Sequence, residues 1–201
     1  MASKYQKLLN KHVVVIGGTS GIGFGVAEAS LASGAQVTVS SSNQSRVDAA
    51  VEKLKGDFPD GKVTGYTCDL SKPTVEQDLE DLFSKVGKAD HIVYSAGDKL
   101  AAAPVQEITY EKIISAGHVR FVAPLLAAKV GSKYLNPGPY SSIILTTGSE
   151  SKKKHFEVVT VQLPTGRIAQ PVDVAEAYLF LMKDPSVTGT VVDSNSGAFL
   201  I

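Results

Sequence analysis

Short apolar runs rich in β-branched residues recur along the chain, separated by longer stretches in which apolar positions return every three or four residues. The runs fall at residues 12–16, 36–40, 62–68, 91–95, 142–146 and 190–193. This alternation predicts βαβ units and hence an α/β fold, a single Rossmann-type doubly wound parallel sheet with helices on both faces. Strands covered on both faces should be apolar throughout, as Val13-Val14-Val15-Ile16 is.

Helix signals fill the intervals. Thr74 and Gln77 have the spacing of a capping box ahead of residues 75–86, whose Val75, Leu79, Leu82, Phe83 and Val86 share one face. Pro171 stands where a first-turn proline is tolerated, and Val174, Ala175, Ala177, Tyr178, Leu181 and Met182 form the buried stripe of a helix ending at Lys183. Residues 148–162 break the pattern and are locally charged; Lys152-Lys153-Lys154 within them reads as a solvated helix start.

Chemistry enters directly after the first strand, with Gly17-Gly18-Thr19-Ser20-Gly21-Ile22-Gly23 followed by a helix over 24–32. Glycine permits the tight turn and lets backbone approach a pyrophosphate, while N–H groups and the dipole at a helix N-terminus stabilise its charge. Gly17, Thr19, Ser20, Gly21, Ile22 and Gly23 are therefore expected to bind a dinucleotide, because the strand before and the helix after supply the context the motif needs.

Composition narrows the partners. The 201 residues, 43% hydrophobic and 20% charged, fit a single domain over 1–201. Twenty basic and twenty acidic residues without long single-sign blocks argue against a nucleic-acid or membrane-surface binder. The single cysteine, Cys68, excludes an internal disulfide and reads as an inert core thiol, and four scattered histidines suggest no metal site. The N-terminal segment lacks the apolar core of a signal peptide, and no apolar run is expected to approach the roughly 18 residues of a membrane span. A cytoplasmic protein acting on a small molecule, with another copy of itself as partner, is the expectation.

The three residues between Gly17 and Gly21, then Gly21-Ile22-Gly23, resemble the short-chain dehydrogenase/reductase family. Asp69-Leu70 after the third strand resembles its adenine-reading acidic position, and Ser95-Ala96-Gly97 stands where the family has Asn-Ala-Gly. Pro164-Thr165-Gly166-Arg167, Pro171, Asp173-Val174-Ala175, Thr188-Gly189 and Asp193 resemble its closing signature. The resemblance implies a nicotinamide cofactor held by these positions, and dimers or tetramers formed through long helices, here the one from about 110 to 134 with Val119, Phe121, Val122, Leu125 and Leu126.

The second strand selects the cofactor. An acidic residue at its end would bind a ribose 2′-OH and repel a 2′-phosphate, whereas this chain has Ser41, Ser42, Asn43 and Arg46, all able to donate to a phosphate. NADP(H) is expected.

The catalytic pattern of the family is not present. None of the seven tyrosines has lysine four positions on; after Tyr110, Tyr134, Tyr140 and Tyr178 stand Ile114, Gly138, Ile144 and Met182. Between Ser149 and Pro164 only 14 residues replace the tyrosine-bearing helix, a sixth strand and the start of a lid. Either that segment, near 149–155, is deleted or the natural protein carries residues absent from this sequence; an intact mass well above 21.1 kDa marks the second. Gly148 falls at the serine position, beside Ser149, and His118 or Gly117 near the asparagine. A carbonyl reductase needs a proton donor, but reduction of an iminium needs only hydride delivery and stabilisation of a cation. Asp98, just after Ser95-Ala96-Gly97, suits the cation, Arg120 suits a polar substrate group, and Ser149 completes the candidate catalytic set. The expected function is NADP(H)-dependent hydride transfer to or from a carbonyl, alcohol or imine; the alternative is a dinucleotide-binding sensor, scaffold or non-redox catalyst.

Overall fold

The computed structural model describes residues 2–98, 103–148 and 163–197. Five strands form one parallel sheet: β1 (His12–Ile16), β2 (Gln36–Ser41), β3 (Val63–Thr67), β4 (His91–Tyr94) and β5 (Ser142–Leu145). Their order is β3-β2-β1-β4-β5, so the chain runs outward in one direction, then returns past β1 to build the other half. Val15 registers with Val39 on one side and Val93 on the other.

Alternate side chains of the central strands serve different layers. Val13, Val15, Val37 and Val39 pack with Val26 and Leu31 of α1 (Gly21–Ala32), Leu54 of α2 (Gln44–Asp57), and Tyr178, Leu179 and Met182 of α6 (Pro171–Lys183). Val14, Ile16, Ile92 and Tyr94 pack with Leu79, Leu82 and Phe83 of α3 (Val75–Val86), and with Ala127 and Val130 of α5 (Ala123–Gly131). Both faces are covered, which is why Val13 to Ile16 of β1 are all apolar and buried. Each fully buried valine, leucine, isoleucine or phenylalanine among them contributes about 1.5–3 kcal/mol by leaving water.

Several expectations are corrected. The run at 190–193 forms no strand, and Val191 is 76% exposed. A strand needs a neighbour, and among the described residues β5 pairs only with β4. Thr74 does not close a capping box with Gln77; its hydroxyl donates to Asp78 instead, at 2.8 Å. The helix expected over 110–134 is three pieces, α4 (Tyr110–Gly117), a π-helical turn (His118–Val122) and α5. Together Tyr110–Gly131 make 22 residues, long and apolar enough by composition to cross a membrane, contrary to the sequence expectation. Val119, Ala123, Ala127 and Val130 of this run belong to the sheet's core, so the same apolarity that suits a bilayer here serves an α/β layer. Ser149 and Lys152-Lys153-Lys154 lie outside the described residues.

Candidate functional site

Because every strand is parallel, the residues that follow β1, β2, β3, β4 and β5 gather along one edge of the sheet. The order reverses between β1 and β4, and a crevice opens at such a reversal, beyond the carboxyl ends of the strands. The Gly17–Gly23 turn lies there.

The N–H groups of Gly17 and Gly18 both donate to the Ser40 carbonyl, at 2.9 and 3.1 Å, which pins the start of the turn. Gly17 has φ +88°, and a Cβ on it would come within 2.6 Å of the Ala96 backbone. A Cβ on Gly23 would lie 2.3 Å from both the Gly17 carbonyl oxygen and Ser95 Oγ. These two glycines therefore let the turn, α1 and the exit of β4 interlock. At Gly21 the φ is +55° and a Cβ would meet nothing within 4 Å, so the backbone faces open space. Ser20, the N-cap, makes no side-chain cap hydrogen bond. The first turn of α1 is thus built to receive an acceptor from outside, where it would otherwise be capped internally. Thr19, Ser20 and Ile22 stand on this loop and helix start as expected.

The exits of β2 and β3 flank the turn. Arg46 Nη2 donates to Ser42 Oγ at 2.9 Å, and Asn43 caps α2 by accepting from the Arg46 N–H at 3.1 Å. Arg46, exposed in the first turn of α2, folds back onto Ser42 at the strand end. Asp69 accepts from the Ser71 hydroxyl at 2.7 Å and the Ser71 N–H at 3.1 Å, and these bonds hold its carboxyl below the usual carboxylate range. Leu70, next to it, is buried in the α3 layer.

At the exit of β4, Ser95 Oγ makes long hydrogen bonds of 3.4 Å to the Ile16 and Gly17 carbonyls, and so ties β4 to the phosphate turn. Ala96 and Gly97 follow, and then Asp98. Arg120 Nε donates to Asp98 Oδ1 at 3.0 Å and Nη2 to the Asp98 carbonyl. The side chains are about one-third exposed, at 34% and 38%, so the pair is accessible at the crevice. His118 does not join it; Nε2 lies 3.1 Å from the Lys72 carbonyl. The candidate set is therefore divided, with Asp98 and Arg120 together, His118 apart, and Ser149 outside the described residues.

Two residues at this edge had no role in the sequence reading. Tyr94, buried at the end of β4, donates its hydroxyl to the Val119 carbonyl in the π-turn, and burial pushes its phenol pKa well above the usual range. Thr146, just past β5, donates to the Tyr94 carbonyl at 2.7 Å and lies 2.6 Å from the Tyr178 hydroxyl of α6. The one sequence signal for the π-turn was Pro124, a proline inside an apolar helical run. The closing motif is anchored by Arg167, which grips Asp173 through both oxygens at 2.7 and 2.8 Å and holds its carboxyl down at about 2.

Comparison with known proteins agrees with this geometry. Residues 4–162 match the family model of the SDR-like Rossmann domain. Short-chain dehydrogenase/reductase fsr5 of Gibberella fujikuroi is 34% identical over 255 residues, spanning 96% of this chain and 96% of that protein. The solved structure of MalC Reductase/Diels-Alderase from Malbranchea aurantiaca superposes with a TM-score of 0.90 at 32% identity, over 98% of this chain and 100% of that one. An NADPH-bound short chain oxidoreductase from Pseudomonas aeruginosa with an atypical catalytic center shares the fold, with a TM-score of 0.74 at 18% identity over 88% and 91% of the two chains.

Proposed function

Since this chain belongs to the short-chain dehydrogenase/reductase family and is accordingly an oxidoreductase on a Rossmann-type fold, we propose that it uses NADP(H) to move hydride to or from a carbonyl, alcohol or iminium of a small organic molecule. The observation that carries the reading is the cradle in which Gly17 and Gly23 let the turn lock against the exit of β4 while Gly21 faces open space, below an α1 N-terminus that Ser20 does not cap. Those are the donors and the clearance that a pyrophosphate requires. Arg46 with Ser42 at the end of β2 would take the 2′-phosphate, and Asp69 and Leu70 the adenine side. When bound, the cofactor supplies the hydride, and the protein supplies binding, orientation and charge.

The chain's own residues favour an iminium among these substrates. No tyrosine-lysine pair at the family's spacing is present to protonate an alkoxide, whereas Asp98 offers a carboxylate at the exit of β4. Its negative charge would stabilise the substrate cation, and Arg120, held by Asp98 Oδ1, would anchor a polar substituent. Ser149 remains part of this proposed set. The alignment to fsr5 spans 255 positions against the 201 residues of this chain, so fsr5 carries residues without counterparts here; the proposal assigns that difference to the stretch between Ser149 and Pro164.

The reading extends to assembly and location. A cytoplasmic homodimer or homotetramer is part of the proposal, and its assembly is supported by the apolar face on the run from α4 to α5, where Ile113, Ile114, Phe121 and Leu125 are 57, 48, 68 and 53% exposed. Light scattering on the purified chain checks the stoichiometry. The functional reading is tested with NADPH deuterated at the transferring carbon and a panel of iminium and carbonyl compounds. Deuterium in an amine or alcohol product supports it; cofactor binding without deuterium transfer to any member contradicts it.

A further inference from the structure

A proline inside a helix offers no N–H, and its ring crowds the carbonyl four residues back. In the run from α4 to α5 that proline is Pro124, and the crowded carbonyl is that of Arg120. The backbone there takes the π form, with the Ala123 N–H donating to the His118 carbonyl five residues earlier. In the same register the next carbonyl, Val119, would look to residue 124 for its donor, and Pro124 has none. Val119 is only 7% exposed, so water is a poor substitute. Tyr94 supplies the donor from another element: its hydroxyl reaches the Val119 carbonyl at 2.5 Å from the end of β4, and the residue is 2% exposed.

The turn held in this way carries Arg120. Its guanidinium lies over Gly97, where a Cβ would be 3.3 Å from both Nη1 and Nη2, and its Nε donates to Asp98 Oδ1 at 3.0 Å. Tyr94, Gly97 and Asp98 lie within five residues of one another. A single strand exit thus fixes the backbone beside Arg120 at one end and its charged head at the other.

We propose that Tyr94 is a positioning residue for Arg120, its hydroxyl holding the π-turn that Pro124 imposes and so setting the guanidinium over Gly97 and against Asp98. The assignment of Arg120 to the substrate rests on the functional reading above; the geometry of its placement does not.

The test follows the Arg120 Nε–H proton by NMR in the full 15N-labelled chain, with its signal identified by its loss in Arg120→Lys. Tyr94→Phe keeps the ring and removes only the donor. The expected result is a displaced Arg120 signal whose solvent exchange is at least about tenfold faster, about 1.4 kcal/mol, with the backbone amide pattern of β1 and β2 and NADPH affinity within about twofold of the parent. An Arg120 signal unchanged in Tyr94→Phe overturns the proposal, as does loss of the β1 and β2 pattern together with it, since Tyr94 would then hold the sheet and not the turn. Should Tyr94→Phe not fold, Pro124→Ala gives the helix back its N–H and leaves Tyr94 in place; release of the Arg120 signal there supports the proposal, and its retention overturns it. Absence of NADPH binding by the parent chain counts against the functional reading alone, because the Arg120 signal still reports its own placement.

Discussion

Arg46 and Ser42 meet across the start of α2, the guanidinium Nη2 donating to the serine hydroxyl at 2.9 Å. The contact keeps the arginine head at the end of β2 instead of out along the helix. A 2′-phosphate placed there would receive charge-assisted hydrogen bonds worth about 1.5–3 kcal/mol in a desolvated site and less in this exposed one. Arg46→Ala is therefore expected to weaken NADPH binding about tenfold and to leave NADH within about twofold, as measured by fluorescence titration of both nucleotides. Equal losses for the two would remove Arg46 from cofactor selection.

Asp98 and Arg120 are bonded to each other, so removing either leaves a charge without its partner at the crevice. Asp98→Asn keeps shape and loses the negative charge. With an iminium substrate, kcat is expected to fall about a hundredfold, in the range seen when a charge-stabilising group is removed from a transition state. Arg120→Ala should raise KM more than it lowers kcat, because an anchor serves ground state and transition state alike. Steady-state kinetics of both variants with NADPH saturating separates the two roles, and unchanged turnover in both would end the assignment.

How much of this was legible beforehand differs from residue to residue. β1 and its glycine turn were readable because a strand buried on both faces is apolar throughout and Val13 to Ile16 are, while the glycines that follow sit directly between that strand and a helix. The helix face of α3 was readable for the same reason of spacing. The π-turn was not, since a helical pattern records only which positions are apolar, and the i→i+5 register depends on a hydroxyl from Tyr94, 25 residues away in sequence. The failure of 190–193 to form a strand is likewise non-local: its residues have β propensity, but propensity without a neighbouring strand leaves backbone N–H and C=O groups unpaired. Asp98 and Arg120 were nominated separately, and only the fold shows them to be partners.

His91, 1% exposed on β4, has one ring nitrogen 2.9 Å from Ser142 Oγ. Burial drives its pKa down from 6.5 to about 4, against the raising influence of Asp90. The unfolded chain therefore binds the proton first, and between those two values the folded state loses stability as pH falls. Stability from this residue is whole above about pH 6.5 and is lost progressively towards pH 4, on the order of 3 kcal/mol in all. Urea unfolding at a series of pH values should show that slope, and His91→Gln should flatten it. An equal slope in the variant would assign the acid loss elsewhere.

Cys68 is buried against the α3 layer, and burial, reinforced by Asp78, pushes its thiol up to about 12. Thiolate is the reactive form. At pH 8 the folded chain should consume no more than a trace of a disulfide reagent in the time that the urea-unfolded chain consumes one equivalent. Rapid reaction of the folded chain would mean that the β3 exit opens readily.

The cradle at the β1 exit is the claim on which the others depend, and its most direct test is titration of NADPH into the parent chain and into Gly23→Ala. The added methyl would lie 2.3 Å from the Gly17 carbonyl oxygen and from Ser95 Oγ, so the turn must shift. Saturable binding to the parent with an affinity loss of at least about a hundredfold in a folded Gly23→Ala is the expected result. Binding that is absent from the parent, or equal in the two chains, would contradict the account.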